Sequence, residues 1–326
     1  MTTRRQIIRY AVGGSIALTL GCTSNSMRGS QNLNAFNVRD ADWHDQRRKR
    51  SVPVRFYLPD QKLATGKLPL VIFSHGIGGS RYGYSYLGRA WAQAGFASLH
   101  LQHVGSDRML WIAGSPLDLV SRLHQAARDS EAIARVEDVS FALDQTFSGD
   151  LGQILDPNSV IAAGHSYGAN TTLLAAGAQI QRGGRLLDLH DVRIRAAIVI
   201  SAPPFYGELS THRILDSVQI PSLHITATND VIHIPGYYSE VTDRIHIFDN
   251  MGSRHKILAV FEGGSHSIFT DRSGTGGLLL NPKVKDATSK LTSAFLRSIL
   301  NGDHEDLRHW PIQHRTILSR FTSTPL

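Results

Sequence analysis

The chain has 326 residues, of which 41% are hydrophobic, and this is enough for one large globular core. Its formal net charge of +7 is concentrated in residues 1–50, which carry nine lysines or arginines against three aspartates. That excess of +6 leaves +1 for the rest of the chain. The near-balance argues against a nucleic-acid-binding surface on the fold, because such a surface needs many cations on one face.

Residues 1–25 have the features of an export signal. Arginines at positions 4, 5 and 9 precede the apolar stretch 11–20, which is shorter than the roughly 20 residues that span a bilayer. The segment TRRQII resembles the twin-arginine export signal of bacterial pre-proteins. Cys22 occupies the place of a lipoprotein's lipidated cysteine, although Thr19 stands where leucine is usual. We expect export from the bacterial cytoplasm, either to the periplasm or to a membrane anchor on Cys22.

Cys22 is the only cysteine in the chain, so no intrachain disulfide can form and the fold depends on its core for stability. Residues 26–50 are predicted to be a loose, polar, basic segment. Within it, the run RRKR at 47–50 is interpreted as a solvated approach to the first strand rather than as a site for an anionic partner.

From residue 51 onward, short apolar runs alternate with helical patterns. Strands are predicted at VPVRFYLP (52–59), LPLVIFSH (68–75), FASLHLQH (96–103), SVIAAGH (159–165), IRAAIVISA (194–202), PSLHITAT (221–228) and HKILAVFEG (255–263). Helices are predicted over 86–95, 130–147 and 284–300. The alternation predicts a mostly parallel sheet with helices on both faces, in one domain over residues 51–302 followed by a C-terminal extension over 303–326.

Two connections, 104–129 and 203–218, are too long to be simple turns. We expect both to lie over the carboxyl ends of strands, where open α/β sheets bind ligands. Their large apolar residues are then candidate walls of a substrate pocket, although local core packing explains them equally well: Met109, Trp111, Phe205 and Tyr206.

The motif GHSYG at 164–168 matches the G-x-S-x-G pattern, which alone is weakly specific in a chain with 29 glycines. Its context is more informative, because SVIAA before it predicts a strand and ANTTLLAAGA after it predicts a helix. Gly164 and Gly168 remove side chains where strand and helix meet, which leaves Ser166 projecting above the sheet. The segment is typical of a nucleophile elbow.

A serine nucleophile needs a base, which is itself oriented by a third group. The segment FEGGSH places His266 directly after the last predicted strand, and ITATND places Asp230 directly after the preceding one. The chain order Ser166, Asp230, His266 is that of the α/β-hydrolase fold. Other acids also lie between Ser166 and His266, of which we expect none to take the place of Asp230: Asp216, Glu240, Asp243 and Glu262.

Attack by serine on a carbonyl puts negative charge on the oxygen, which requires preorganised donors. The segment FSHGIGGS, after the second predicted strand, has small residues and resembles the His-Gly loop of hydrolases. The resemblance suggests the backbone amides of Ile77 and Tyr167 as the donors. His75 is expected to brace this loop rather than to react.

The stretch PLVIFSHGIGGSRYGYSYLGRAWAQAGFASLHLQHVGSD, followed in order by GHSYGAN, ITATND and GGSH, resembles α/β-hydrolases of the platelet-activating-factor acetylhydrolase and dienelactone-hydrolase-like group. The resemblance covers roughly residues 50–300. It implies Ser166 as nucleophile, His266 as base, Asp230 as acid, and the Ile77 and Tyr167 amides as oxyanion donors. True dienelactone hydrolases use a cysteine nucleophile, so the serine favours general esterase chemistry.

We therefore expect a serine hydrolase of small-molecule or lipid carboxylic esters that needs no cofactor or metal. Three alternatives remain. The same residues could transfer the acyl group to another alcohol, or cleave thioesters or amides, or the chain could be a non-catalytic exported binding protein. His100 and His103 in HLQH are not expected to bind a metal, because a spacing of three residues on a strand directs side chains to opposite faces.

Overall fold

The computed structural model of the chain describes residues 36–60, 66–182, 184–207 and 210–324. The predicted export signal over residues 1–25, which includes Cys22, lies outside the described residues, so the expectations of export and lipidation stay predictions. No helix in the described ranges combines the length and the apolar composition that crossing a membrane requires.

The described chain alternates strands and helices. The strands are β1 (Phe36–Asp45), β2 (Arg50–Pro59), β3 (Leu68–Ser74), β4 (Ala97–Leu101), β5 (Leu155–His165), β6 (Gln179–Arg182), β7 (Arg185–Asp188), β8 (Ile194–Ile200), β9 (Ser222–Asn229), β10 (Ile232–Ile234), β11 (Tyr237–Ser239), β12 (Lys256–Ser265) and β13 (Leu318–Ser323). The α-helices are α1 (Ser85–Gln93), α2 (Met109–Ile112), α3 (Leu119–Ala126), α4 (Asp129–Ser148), α5 (Tyr167–Ala175), α6 (Thr211–Leu215), α7 (Val241–Asn250), α8 (Leu280–Asn301) and α9 (Glu305–Gln313).

The main sheet within the described residues has nine strands in the order β1-β2-β4-β3-β5-β8-β9-β12-β13. The run from β4 to β12 is parallel throughout, whereas β1, β2 and β13 pair antiparallel at the edges. Two hairpins, β6–β7 and β10–β11, stand apart from this sheet. The predicted mostly parallel α/β architecture is confirmed, and all the strands predicted from the sequence belong to the main sheet.

Helices cover both faces of the sheet. On one face α4 and α5 bury Val139 and Leu173, and on the other α1 and α8 bury Trp91 and Phe295. A strand that is covered on both faces needs apolar side chains in both directions, which accounts for the continuous apolar runs in β3 and β8. The carboxyl ends of these parallel strands share one edge, where the loops that bear the candidate site begin.

The prediction of a loose segment over residues 26–50 is wrong for residues 36–45. These residues form β1, which pairs with β2 along its whole length. Ala41 and Trp43 pack against the core, and the Trp43 ring meets the Phe56 ring at a centroid distance of 5.9 Å. The strand was missed because most of its residues are polar and face outward on an edge strand.

The predicted division at residue 302 is also wrong. The segment after α8 contains α9 and then β13, which completes the sheet by pairing with β12. Trp310 on α9 is 2% exposed, and its indole N–H donates to the Ala287 carbonyl at 2.9 Å. The C-terminal segment is therefore an integral part of the domain.

The basic run at 47–50 is not simply solvated. Arg48 and Arg50 each approach Asp138 on α4 at 2.9 Å, and Asp138 is completely buried. Arg50 also pairs with Glu131 at 3.1 Å and Arg48 with Asp45 at 2.5 Å. These five residues form a buried ion network that ties the start of β2 to α4.

We predict that Asp138→Asn destabilises the protein by about 3–5 kcal/mol, because removal of one partner leaves the other buried charges uncompensated. Urea unfolding followed by circular dichroism measures the loss. The control is Asp286→Asn, which breaks a pair with Lys290 in which both side chains are more than half exposed, at 55% and 58%. That variant should lose less than about 1 kcal/mol. Equal losses in the two variants would contradict the assigned role of the ion network.

Five buried histidines should make stability sensitive to mild acid. Burial lowers the pKa of His100, His165 and His224 to about 3, and lowers the pKa of His75 and His103 well below the ordinary value. Between the lowered pKa and about 6.5, the unfolded state binds more protons than the folded state. The contribution of these neutral histidines to the free energy of unfolding is therefore fully present above about pH 6.5 and is lost as the pH falls toward the lowered pKa.

We predict that the free energy of unfolding falls between pH 7.5 and pH 5.5 by about 1.4 kcal/mol for each such histidine, before carboxylates titrate. Urea unfolding at pH 7.5, 6.5 and 5.5 measures the dependence. His224→Leu should make it shallower, because one buried imidazole is removed. A pH-independent free energy over this range would refute the prediction.

Candidate active site

The candidate site begins at the turn between β5 and α5. Ser166 has φ 56° and ψ −124°, a strained conformation for a residue with a side chain. Gly164 and Gly168 allow the turn, because a Cβ on Gly164 would lie 2.1 Å from the Gly168 carbonyl oxygen. A Cβ on Gly168 would lie 1.9 Å from the Ser74 carbonyl oxygen. The geometry is that of a nucleophile elbow.

The structure brings together the side chains of Ser166, His266 and Asp230. Nε2 of His266 lies 2.9 Å from Oγ of Ser166, and Nδ1 of His266 lies 2.7 Å from Oδ1 of Asp230. The three residues are separated by 36 to 100 positions in the chain. They meet because β5, β9 and β12 all end at the same edge of the sheet.

Asp230 is fully buried and acts as an acceptor. Its Oδ2 accepts a hydrogen bond from Thr226 Oγ1 at 2.7 Å, and Arg244 Nη2 lies 3.3 Å from Oδ1. Burial opposes ionisation, but His266 and Arg244 together hold the pKa of Asp230 below its ordinary value. An ionised carboxylate can only accept, so Nδ1 of His266 donates and Nε2 is left to accept the Ser166 proton.

The competing acids lie elsewhere. Glu262 is exposed and accepts from the Thr228 hydroxyl at 3.3 Å, while Asp243 and Glu240 form a capping box at the start of α7. Asp216 is about two-thirds exposed, at 65%, and lies 3.9 Å from His212. Within the described contacts, none of these four acids reaches His266.

The loop after β3 lies beside the elbow. The His103 amide donates to Nε2 of His75 at 3.1 Å, so Nδ1 carries the proton and donates to the Gly76 carbonyl at 2.7 Å. His75 therefore braces the loop. The Tyr167 amide, at the first position of α5, has no acceptor within the helix. Within the described residues no hydrogen bond is found from this amide or from that of Ile77, which leaves both available to a ligand.

His165 and Tyr84, which the sequence analysis did not single out, connect the loop, the elbow and His266. Nε2 of His165 donates to the His266 carbonyl at 3.0 Å, and Nδ1 accepts from the Tyr84 hydroxyl at 2.8 Å. Tyr84 accepts in turn from the Gly76 amide at 3.4 Å. The position of His165, directly before the nucleophile in GHSYG, was the available signal. Tyr84 offered none, because His165, which accepts from its hydroxyl, lies 81 residues away in the chain.

A cavity of about 920 Å³ opens above Ser166. Trp111, Phe205 and Tyr206 line it, together with Ile234 and Tyr237 of the β10–β11 hairpin. The prediction for Met109 is wrong: on the short helix α2, Leu110 faces inward and Trp111 donates to the Gly78 carbonyl at 2.9 Å. Met109 consequently faces outward and is 51% exposed.

Both long connections contribute to the cover of this cavity. On α3, Leu123 packs in a cluster with Ile77 and with Ile234 of the hairpin. His124 Nε2 bonds to the Pro235 carbonyl at 2.8 Å. Tyr206, from the second connection, meets Tyr237 edge to face at 5.0 Å. The cover thus contacts the candidate oxyanion loop directly.

His100 and His103 face different surroundings. His100 stacks on Phe73 at a centroid distance of 5.0 Å and lies near Trp91, on the α1 side of the sheet. His103 lies 3.0 Å from both Asp138 Oδ2 and Ser74 Oγ, on the α4 side. In the part of the chain that the structure describes, no group of three or more potential ligand side chains is placed to hold a metal ion.

The strand order and the elbow define the class of protein: the chain has the α/β-hydrolase fold. A family model for platelet-activating factor acetylhydrolase, isoform II, matches residues 51–109, which include β3 and the loop after it. Among solved structures, a ferulic acid esterase from Streptomyces cinnamoneus is similar, with a TM-score of 0.62 and 18% identity over 85% of this chain and 93% of that chain. No protein with a curated description matches significantly. The resemblance to α/β-hydrolases of the platelet-activating-factor acetylhydrolase group is confirmed.

Proposed function

We propose that the protein is a serine hydrolase that cleaves carboxylic esters through an acyl-enzyme intermediate. The observation that carries the proposal is the pair of hydrogen bonds at His266, whose Nε2 accepts from Ser166 Oγ at 2.9 Å and whose Nδ1 donates to Asp230 Oδ1 at 2.7 Å. A nucleophile, a base and an orienting acid in this arrangement are the requirements of acyl transfer to serine.

In the first half of the reaction, Ser166 Oγ attacks the ester carbonyl carbon while His266 Nε2 takes the serine proton. The carbonyl electron pair moves to oxygen, where the Ile77 and Tyr167 amides stabilise it. Asp230 stabilises the imidazolium without accepting its proton. When the tetrahedral intermediate collapses, His266 returns the proton to the departing alcohol and the acyl group stays on Ser166.

In the second half, water replaces the alcohol. His266 takes a proton from water as the water oxygen attacks the acyl carbon, and the same two amides stabilise the second oxyanion. Collapse breaks the bond to Ser166 Oγ, which recovers its proton from His266. The carboxylic acid then leaves and the free enzyme is restored.

Two further observations support an ester as the substrate. The cavity above Ser166 is lined in part by large apolar side chains such as Trp111, Phe205 and Ile234, which suit an acyl group. The proteins that the chain resembles are named as an acetylhydrolase and an esterase. Thioester or amide cleavage, acyl transfer to another alcohol, and a non-catalytic binding role are the alternatives that an assay must separate.

We predict that Ser166→Ala lowers kcat for a short-chain p-nitrophenyl ester by a factor on the order of 10⁶. A fluorophosphonate probe should label the unmodified protein and fail to label this variant. Ser148→Ala, at the exposed end of α4, provides the control and should keep full activity. Activity of a folded Ser166→Ala protein within tenfold of the unmodified level would refute the proposal, and an unlabelled, inactive parent protein would favour the binding role.

We predict that Asp230→Asn lowers kcat by roughly 10³ to 10⁴, because the amide no longer fixes the required tautomer of His266. Glu262→Gln is the matched control, since Glu262 is the acid nearest to His266 in sequence but is exposed. Its loss should be about tenfold or less. Steady-state hydrolysis by both folded variants gives the comparison. A larger loss of kcat in Glu262→Gln than in Asp230→Asn would disprove the assignment of the acid.

A further inference from the structure

Arg135 on α4 is a buried cation for which the reaction described above has no role. Its exposed fraction is 0%, and within the described residues no carboxylate oxygen lies within ion-pair distance of its guanidinium group. The two carboxylates of the same helix that interact electrostatically with Arg135, Glu131 and Asp138, pair with Arg50, at 3.1 and 2.9 Å. A buried charge without an ionic partner is costly, so the groups that this guanidinium contacts bear on its role.

All hydrogen bonds of the Arg135 guanidinium go to neutral groups around the candidate oxyanion hole. Nη2 donates to the His75 carbonyl, Nε donates to Thr171 Oγ1 at 2.9 Å, and Nη1 donates to Ser106 Oγ at 2.8 Å. The guanidinium also lies over the Tyr167 ring, 4.5 Å from its centroid. One side chain thus contacts the loop after β3, the loop after β4 and the first turn of α5.

Arg135 contacts the residues that hold the two candidate donor amides. Ile77 lies between His75, whose carbonyl Arg135 binds, and Gly78, whose amide donates to the Ser106 carbonyl at 2.8 Å. Tyr167 is held through its ring and through Thr171, whose hydroxyl donates to the Tyr167 carbonyl at 3.1 Å. A substitution of Arg135 would therefore disturb both donor amides of the candidate oxyanion hole.

The charge of Arg135 persists despite its burial. Burial lowers the pKa of the guanidinium to about 10, so it stays protonated at neutral pH. The titratable and charged groups that surround it lie on α4, α5, β2 and the loops after β3 and β4: Glu131, Asp138, Tyr167, Arg50, His75, His103 and Tyr84. Burial, with the charge of Arg135 as a further cause, lowers the pKa of His75 and His103, which leaves both neutral.

We propose that Arg135 is a positioning residue of the oxyanion hole, which holds the Ile77 and Tyr167 amides in place and adds a positive charge that favours a negative oxygen between them. The inference rests on the proposed function. In this proposal Arg135 stabilises only the charged intermediate. Removal of Arg135 should therefore lower kcat and leave substrate binding unchanged. It also requires a cation, and not merely a side chain of similar volume, at this position.

The first experiment compares Arg135→Met with Arg193→Met. Arg193 pairs with Asp191 and Asp144 away from the site, so its removal controls for the loss of an arginine. For a short-chain p-nitrophenyl ester, we expect Arg135→Met to lower kcat by about 100-fold, as loss of an oxyanion donor does, with KM changed less than about threefold. Arg193→Met should keep both constants. A kcat within threefold of the parent, or a KM that rises as far as kcat falls, would overturn the proposal.

The second experiment measures stabilisation of the oxyanion directly with an alkyl trifluoromethyl ketone. Ser166 Oγ adds to the ketone carbon, the carbonyl electron pair moves to oxygen, and the serine proton passes to His266. The inhibition constant for Arg135→Met should rise in parallel with the loss of kcat, by about 100-fold. An inhibition constant that stays within threefold would contradict the proposal.

The third experiment tests the charge and remains decisive if Arg135→Met fails to fold. In Arg135→Lys, a buried ammonium group should titrate at roughly pH 8, since burial lowers its pKa from about 10.4. We expect kcat of this variant to lie within about tenfold of the parent at pH 6.5 and to fall as pH rises through 8, a decline that the arginine enzyme lacks. Parallel pH profiles in the two proteins would refute the charge role. Retained activity in Ser166→Ala would instead refute the proposed function itself.

Discussion

Gly168 packs against the end of β3 so closely that a Cβ would lie 1.9 Å from the Ser74 carbonyl oxygen, and the arrangement of the candidate site depends on this contact. It brings the first turn of α5 against the loop that follows β3. Because β3 and β5 are parallel neighbours, both loops leave the same edge of the sheet. Ser166 and the candidate donor amides of Ile77 and Tyr167 therefore lie on two adjacent segments at this edge of the sheet.

Around this contact, several polar side chains of the site are hydrogen-bonded to groups of neighbouring loops. His165 bonds to both Tyr84 and His266, His75 bonds to its own loop, and Arg135 bonds to three neutral groups. Hydrogen bonds in a buried, low-dielectric setting are strong when every partner is present and costly when one is lost. In the proposed reaction, such a network holds the candidate donor amides in place before a negative charge develops, which is the condition for electrostatic catalysis.

The charge distribution of the chain has a structural explanation as well. The basic run at 47–50 looked like an exposed feature, yet Arg48 and Arg50 neutralise Asp138 beneath the loop that carries His103. His103 in turn contacts Ser74 at the end of β3. The ion network therefore supports the strand end on which the elbow packs, and its cations serve the fold rather than an anionic partner.

Local sequence patterns determined much of the fold and of the site, because their signals are short-range. The apolar runs specified the parallel strands, the Gly-x-Ser-x-Gly segment specified a tight turn, and the positions of Asp230 and His266 after successive strands followed from chain order. The polar strand β1, the packing of α9 and β13, and the outward direction of Met109 had no such signal. Neither did the contacts of Arg135, whose partners His75, Ser106 and Thr171 are distant in sequence. Burial and long-range hydrogen bonding arise only when separate segments pack, so the tertiary structure alone decided them.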